Sequence, residues 1–454
     1  MDITTTTSDL NMPSETRAHV VTPKPVDTAD RLQTVDMIRG VALLGILMMN
    51  IPGFGIHWSV YDLILKGAKS NADFITLEVV ETFFSGTMRG LFSMLFGAGM
   101  ILFTMNKKET PGGVTIAEYY YRRLLWLVLF GIFNAYVLLW IGDILYFYGL
   151  CGMILYPFRK LNPKWLFALG LVCMSIGMLK SSLWYNESRA PRLAYVEAIA
   201  AEKANKKLTD KQKEAKAEWL RSEENRKPDT SRIGFDLRTM HSGYTTIFSE
   251  FIPRNSGSET WGMYHGLWDM LMMMFIGMAL FMWGFFSNRL STSTYTMTLL
   301  IGYGLGIPIG YIFFSNGWVS ITANRGAYFD AFRTSHELLY DFRRLLLCLG
   351  HASLLLLIYR SKVVPWLMKA LSNVGQMAFT NYLMQSIICT LFFYGYGFDN
   401  YNNLRFHQLY YVVISVWIFQ IIFSAIWLRY FRFGPFEWLW RSLTYWQVQP
   451  MRKS

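Results

Sequence analysis

The sequence predicts an all-α fold: a polytopic integral membrane protein of about ten transmembrane helices with one helical extracytoplasmic insertion. Three observations predict it. Hydrophobic residues make up 53% of the 454 positions and charged residues only 16%, where a soluble domain carries about 25% charged residues. Apolar runs of about 20 residues, long enough to cross a hydrocarbon core, recur along the chain. Lys and Arg gather between alternate runs, the pattern that orients membrane helices.

Taken in order, residues 1–30 are rich in Thr, Ser, Pro and Asp. They lack the apolar core of a signal peptide and read as a disordered cytoplasmic tail. Candidate spans follow near 37–56, 83–105, 121–140, 143–158, 164–184, 266–286, 294–314, 343–360, 374–395 and 408–429. Five belong to an N-terminal bundle, 31–185, and five to a C-terminal bundle, 263–430. The run at 143–158 is short and opens with "GD", as a re-entrant or broken helix would. Between the bundles, 186–262 contains "AYVEAIAAEKANKKLTDKQKEAKAEWLRSEENRK". This stretch predicts a charged extracytoplasmic helical hairpin, with Thr209 and Gln212 forming a capping box. A solvated spacer fits it as well as a substrate-gripping role. The tail, 431–454, reads as an amphipathic segment on the cytoplasmic membrane surface.

With ten spans, Lys107, Lys108, Arg122, Arg123, Arg159, Lys160, Lys164, Arg360, Lys362, Lys369, Arg429, Arg432, Arg441, Arg452 and Lys453 share one side. The positive-inside rule makes that side cytoplasmic, with both termini, in a plasma (inner) membrane. Topology thus accounts for the net charge of +12, and no motif supports nucleic-acid binding. Cys151, Cys173, Cys348 and Cys389 all lie in apolar runs without CxxC spacing. They read as packing residues, with no disulfide or metal site.

Six stretches place polar groups where they are expensive, which in a membrane points to function. In "RLQTVDMIRGVALLGILMMNI", Arg31, Asp36 and Arg39 stand at the mouth of the first span, and Asp36 and Arg39 are spaced to pair. Asn50 returns to nearly the same face about 16 Å further on, which makes one polar stripe. His57 follows the helix-breaking "IPGFG" at the outer boundary. Arg89, in "FFSGTMRGLFSMLFGAGM", needs a partner or a polar cavity, and the glycines around it allow close helix packing. Asp143, in "WIGDILYFYGL", is placed to cap a short helix. His265 and Asp269, in "MYHGLWDM", are spaced as a general base and the carboxylate orienting it. In "SNVGQMAFTNYLMQS", Asn381 and Gln385 share a face suited to interhelical hydrogen bonds. In "FRFGPFEWLWRSLTYW", Glu437 and Arg441 lie one turn apart on an aromatic helix.

Together these stretches resemble the YeiB-like membrane family (domain of unknown function 418). The resemblance spans nearly the whole chain apart from the tail and the insertion. Members usually carry a histidine in the third span ahead of "GDIL". Asn134 stands there in this sequence, so no role of that histidine carries over. The family is distantly similar to transmembrane acyltransferases such as the lysosomal heparan glucosaminide acetyltransferase. Those also open with "R…D…RG" and move an acyl group from cytosolic acyl-CoA to a sugar across the membrane.

The resemblance implies acyl-CoA, with acetyl-CoA the first candidate, as co-substrate, with no metal. Arg31, Asp36, Arg39, Arg122, Arg123 and Arg441 are the candidates for the CoA site, and Asn50 or Arg89 for polarising the thioester carbonyl. His57 with Asp143, or His265 with Asp269, are the candidates for deprotonating an extracytoplasmic hydroxyl or amine on a sugar, lipid head group or small metabolite. The same polar stripe also suits a transporter of a small polar solute, although no internal repeat is visible. A scaffold with a partner-binding hairpin leaves the intramembrane polar residues unused. A homo-oligomer is compatible with all three.

Overall fold

The structure is a computed structural model that describes residues 32–105, 115–226, 229–330 and 339–453. The N-terminal tail, Arg31, Lys107 and Lys108 lie outside the described residues. Among those described, the chain is helical and has one isolated bridge, between Phe431 and Arg452. The helices in order are α1 (Gln33–Gly55), α2 (Ser59–Lys66), α3 (Ala72–Phe83), α4 (Thr87–Met105), α5 (Ile116–Tyr136), α6 (Leu145–Leu155) and α7 (Pro163–Lys203). The insertion adds α8 (Asp210–Glu224), α9 (Thr230–Met240) and α10 (Tyr244–Gly257). Then come α11 (Met263–Met282), α12 (Thr292–Phe313), the short α13 (Ser320–Ala323) and α14 (Arg325–Asp330), and α15 (Tyr340–Ser361). The chain closes with α16 (Pro365–Gln376), α17 (Ala378–Phe393), α18 (Phe406–Tyr430) and α19 (Pro435–Tyr445).

Seven helical stretches among the described residues are long and apolar enough to cross a membrane: Gln33–Gly55, Ala72–Met105, Pro163–Lys203, Tyr244–Met282, Thr292–Ala323, Tyr340–Ser361 and Phe406–Tyr430. The protein is therefore an all-α polytopic membrane protein. The other three runs expected from the sequence are helical too, but they differ in kind. α5 carries Glu118, Arg122 and Arg123 in its first turns, α6 has only 11 residues, and α17 has 16.

α1 is the axis of the bundle. Met37, Ile38, Leu43, Leu47 and Ile51 are buried, and α4, α16, α17 and α18 pack around it. α4 and α11 meet backbone against backbone. A Cβ on Gly97 would lie 2.1 Å from the Met274 carbonyl oxygen, and one on Gly277 would lie 2.0 Å from that of Met94. Glycine lets the two helices close here, as small residues do between membrane helices.

α3 and α4 are one apolar stretch broken at residues 84–86. Arg343 of α15, buried like its neighbour Arg344, satisfies carbonyls freed by the break. Arg343 donates to the oxygens of Glu81 (3.1 Å) and Ser85 (2.7 Å), and Arg344 to that of Gly86 (3.2 Å). Unpaired carbonyls in an apolar bundle are costly, which is why such cations are found at the break.

The fifth apolar run and the start of the insertion form one helix, α7, of 41 residues. α8 folds back against it. The expected capping box is present: Gln212 N donates to Thr209 Oγ1 (3.3 Å) and Thr209 N donates to Gln212 Oε1 (3.0 Å). Trp219 is buried with Tyr185, Tyr328 and Phe329, and the ion pairs Arg192–Asp330 (2.7 Å) and Arg325–Glu223 (2.8 Å) flank it. The hairpin is thus latched onto α14. At the other end of the chain the tail is a helix as expected, but Glu437 turns inward. Its carboxylate accepts from Phe379 N (2.7 Å), Thr380 N (3.1 Å) and Thr380 Oγ1 (2.5 Å), capping the N-terminus of α17. A carboxylate is favourable at a helix N-terminus, where N–H groups lack partners.

Candidate functional site

Two cavities open into the bundle around α1. The first, of about 240 Å³, begins among three guanidinium groups that come from different elements: Arg39 of α1, Arg123 of α5 and Arg441 of α19. Each is held by its surroundings. Arg39 donates to Asp36 Oδ1 at 2.8 Å, as the i, i+3 spacing predicts. Arg123 lies over the Trp440 ring at 4.1 Å, and Trp440 Nε1 donates to the Arg123 carbonyl at 2.8 Å. Arg441 lies over Phe433 at 4.3 Å. Below this mouth the walls turn apolar, with Phe92, Leu95, Leu124 and Leu127. Arg122 does not line this cavity. One residue from Arg123 is about 100° around a helix, and it points instead toward the Thr444 carbonyl (3.4 Å) and the Trp446 ring (5.5 Å).

Ile144, Tyr148 and Tyr382 also line the first cavity. Beside them lies the break between α5 and α6, where Asp143 caps the short helix as predicted, its Oδ2 accepting from Tyr146 N at 2.9 Å. Asn134 Nδ2 donates to Asp143 Oδ1 at 2.7 Å. The Tyr382 hydroxyl lies 3.5 Å from the same oxygen and accepts from Ile144 N at 3.1 Å. Asn134 and Asp143 are both buried. Gly131 makes the close approach possible, because a Cβ there would meet Tyr146 N at 2.3 Å and Asp143 Oδ2 at 2.7 Å.

The second cavity, of about 230 Å³, is lined by Asn50, Arg89 and Tyr340, and shares Ile144 with the first. The two ends of the polar stripe expected on α1 line different cavities, Arg39 the first and Asn50 the second. Arg89 donates to Asp269 Oδ2 at 2.7 Å. Asp269 is shared with Arg344, which also reaches Asp341 at 3.2 Å.

This overturns the pairing of His265 with Asp269. A buried guanidinium needs a carboxylate more than an imidazole at the surface does, and Arg344 is buried whereas His265 is exposed. His265 stacks instead near Trp261 and Tyr264. His57 does not meet Asp143 either. It is buried, with Nδ1 2.8 Å from Ser59 Oγ and Nε2 3.4 Å from Asp236 Oδ2. Arg254 holds the other Asp236 oxygen at 2.9 Å. Asp236 belongs to α9, so the insertion supplies the carboxylate for His57. His57 lines neither cavity.

The amides of "TNYLMQS" serve packing. Asn381 donates to Ser424 (2.9 Å) and Gln385 to Gln420 (3.1 Å), tying α17 to α18. Sequence reasoning missed Asp236, Tyr382, Trp440 and Arg344. Tyr382 had a signal, since it sits between polar residues in an otherwise apolar span. Asp236 had none, because it is 179 residues from the histidine it meets.

Residues 280–447 match a family described as a protein of unknown function, DUF418. The chain is 32% identical over 425 residues to the protein YeiB of Escherichia coli (strain K12), covering 91% of this chain and 96% of the relative. It is 30% identical over 454 residues to YxaH of Bacillus subtilis (strain 168), covering 95% of this chain and 98% of the relative. No solved structure matches. Similarity that runs nearly end to end in both chains, with the family's own match over the C-terminal bundle, shows common descent: the chain belongs to the YeiB-like DUF418 family of membrane proteins.

Proposed function

We propose that the protein is a membrane acyltransferase. It moves a short acyl group from cytosolic acyl-CoA, acetyl-CoA first among them, to an extracytoplasmic hydroxyl or amine. The first cavity carries this reading: three cations meet at its mouth and its walls turn apolar toward Tyr382 beside Asp143. That gradient suits an amphiphile with a phosphate-bearing head and an uncharged arm. Arginine pairs phosphate bidentately. In this reading the arginine-lined end faces the cytosol and the membrane is the plasma (inner) membrane.

The chemistry is a single displacement. The acceptor oxygen or nitrogen attacks the thioester carbonyl carbon, the new C–O or C–N bond forms, and the C–S bond breaks. The acceptor proton passes to the Tyr382 oxygen as the Tyr382 hydroxyl proton passes to the Asp143 carboxylate, and the sulfur leaves as thiolate. Tyr382 is the group that reaches the reacting atoms, and Asp143, oriented by Asn134, acts through it. Positioned proton transfer of this kind contributes about 10²–10⁴-fold in rate.

The test is thermal stabilisation of the detergent-solubilised protein by acetyl-CoA, with free CoA and an adenine nucleotide as controls. Stabilisation lost in Arg39→Gln/Arg123→Gln supports the reading. Tyr382→Phe should keep the stabilisation and lose transfer to added acceptors. Transfer lost in His57→Ala but kept in Tyr382→Phe would move the proton route to the His57–Asp236 pair. A folded protein that no acyl-CoA stabilises overturns the proposal, and flux of a polar solute in proteoliposomes becomes the reading to test.

A further inference from the structure

The second cavity holds a polar arrangement that the bundle itself does not satisfy. Asn50 lines it, and among the described residues its amide makes no hydrogen bond to protein. Arg89 lines it too; its side chain is 40% exposed, and its one hydrogen bond among the described residues is to Asp269 through Nη2. Tyr340 adds a hydroxyl to the lining, and Ile46, Met49 and Ile144 offer no polar side chain. A guanidinium has five N–H donors, and an amide both donates and accepts. Such groups, left unpaired in a helical bundle, are expensive and mark ligand sites.

The placement is as informative as the chemistry. Asn50 lies toward the end of α1 opposite Arg39, and Arg89 lies in the first turn of α4, whose far end carries Phe103 beside Arg123. The second cavity therefore lies on the other side of Ile144 from the arginine-lined mouth.

We infer that this cavity is a binding site for a small oxyanion-bearing molecule, its carboxylate or phosphate on Arg89 and a hydroxyl or amine on Asn50. A volume of about 230 Å³ is enough for a small metabolite. That this molecule is the acyl acceptor rests on the acyltransferase reading; that the site binds an oxyanion does not. Asp269 keeps Arg89 aimed while Arg344 shares the carboxylate. An incoming anion therefore meets a cation already in place, which lowers the cost of ordering it.

The experiment uses the full-length protein in detergent and reads thermal shift at constant ionic strength. Glycolate probes the carboxylate form and glycerol phosphate the phosphate form, with sodium chloride as the reference. Stabilisation by either probe above chloride is expected, and the probe that acts identifies the oxyanion. Arg89→Gln should weaken it about tenfold or more, as loss of a hydrogen bond to a charged group does, and Asn50→Ala about threefold or more, as loss of a neutral one does. Arg39→Gln/Arg123→Gln should leave the part of the shift that depends on Arg89 and Asn50 unchanged. Asn50 has no hydrogen-bond partner among the described residues, so Asn50→Ala keeps the test valid where Arg89→Gln disturbs folding. Oxyanion stabilisation without any acyl-CoA effect leaves this site standing and removes the acyltransferase reading. No stabilisation by either probe, or stabilisation indifferent to both Arg89→Gln and Asn50→Ala, overturns the inference.

Discussion

Single side chains here do the work of whole turns of backbone. Asp143 accepts from a buried Asn134 amide and a free helix N–H. Asp143→Ala leaves both donors unpaired in an apolar site, and each such orphan costs about 1–3 kcal/mol. The expected result is a lowered Tm in detergent, with Asp143→Asn closer to wild type. Glu437 offers a pH-dependent case. Burial pushes its carboxyl above the usual range, while the hydrogen bonds from Phe379 and Thr380 oppose that rise. The native state then holds a proton that the unfolded chain releases, so stability falls as pH rises from the ordinary glutamate pKa through the raised one. Tm measured across that window should decline in wild type and stay flatter in Glu437→Gln. Absence of any difference in slope would show that the cap is ionised throughout.

At the scale of elements, the sequence announced more than it placed. Every apolar run became a helix, because apolar length is a one-dimensional property. Pairings across the bundle were legible only where partners are one turn apart, as Asp36 with Arg39 or Thr209 with Gln212. His265 and Asp269 show the limit of that logic. Their spacing is right, but Arg344, 75 residues from Asp269, takes the carboxylate. Arg343 and Arg344 open the apolar run at 343–360; the break before α4 accounts for the first, and Asp269 with Asp341 for the second. Of the glycines around Arg89, Gly97 does admit a close helix approach, whereas beside Gly99 a Cβ would meet open space. Gly97→Ala should cost about 1–3 kcal/mol, the usual penalty of forcing atoms into a packed interface, and Gly99→Ala far less. A thermal melt of the two variants side by side checks this.

For the molecule as a whole, the proposed orientation is directly testable. The four native cysteines are buried, so new ones can be read against a low background. Lys203→Cys, at the exposed end of α7, should react with a membrane-impermeant maleimide in intact cells. Lys362→Cys, exposed after α15, should react only after permeabilisation. The opposite labelling pattern would invert the molecule and put the arginine-lined mouth outside. α7 itself has a mechanical consequence. At 1.5 Å per residue its 41 residues make a rod of about 61 Å, about twice the hydrocarbon thickness of about 30 Å. One end packs on α11 and the other carries the Trp219 latch. A lean of about 10° at its foot would sweep the tip through about 10 Å. The hairpin is thus a long pointer whose swing the latch on α14 restrains, and a pair of fluorophores at its tip and on α2 would register a shift of α11 magnified by that length.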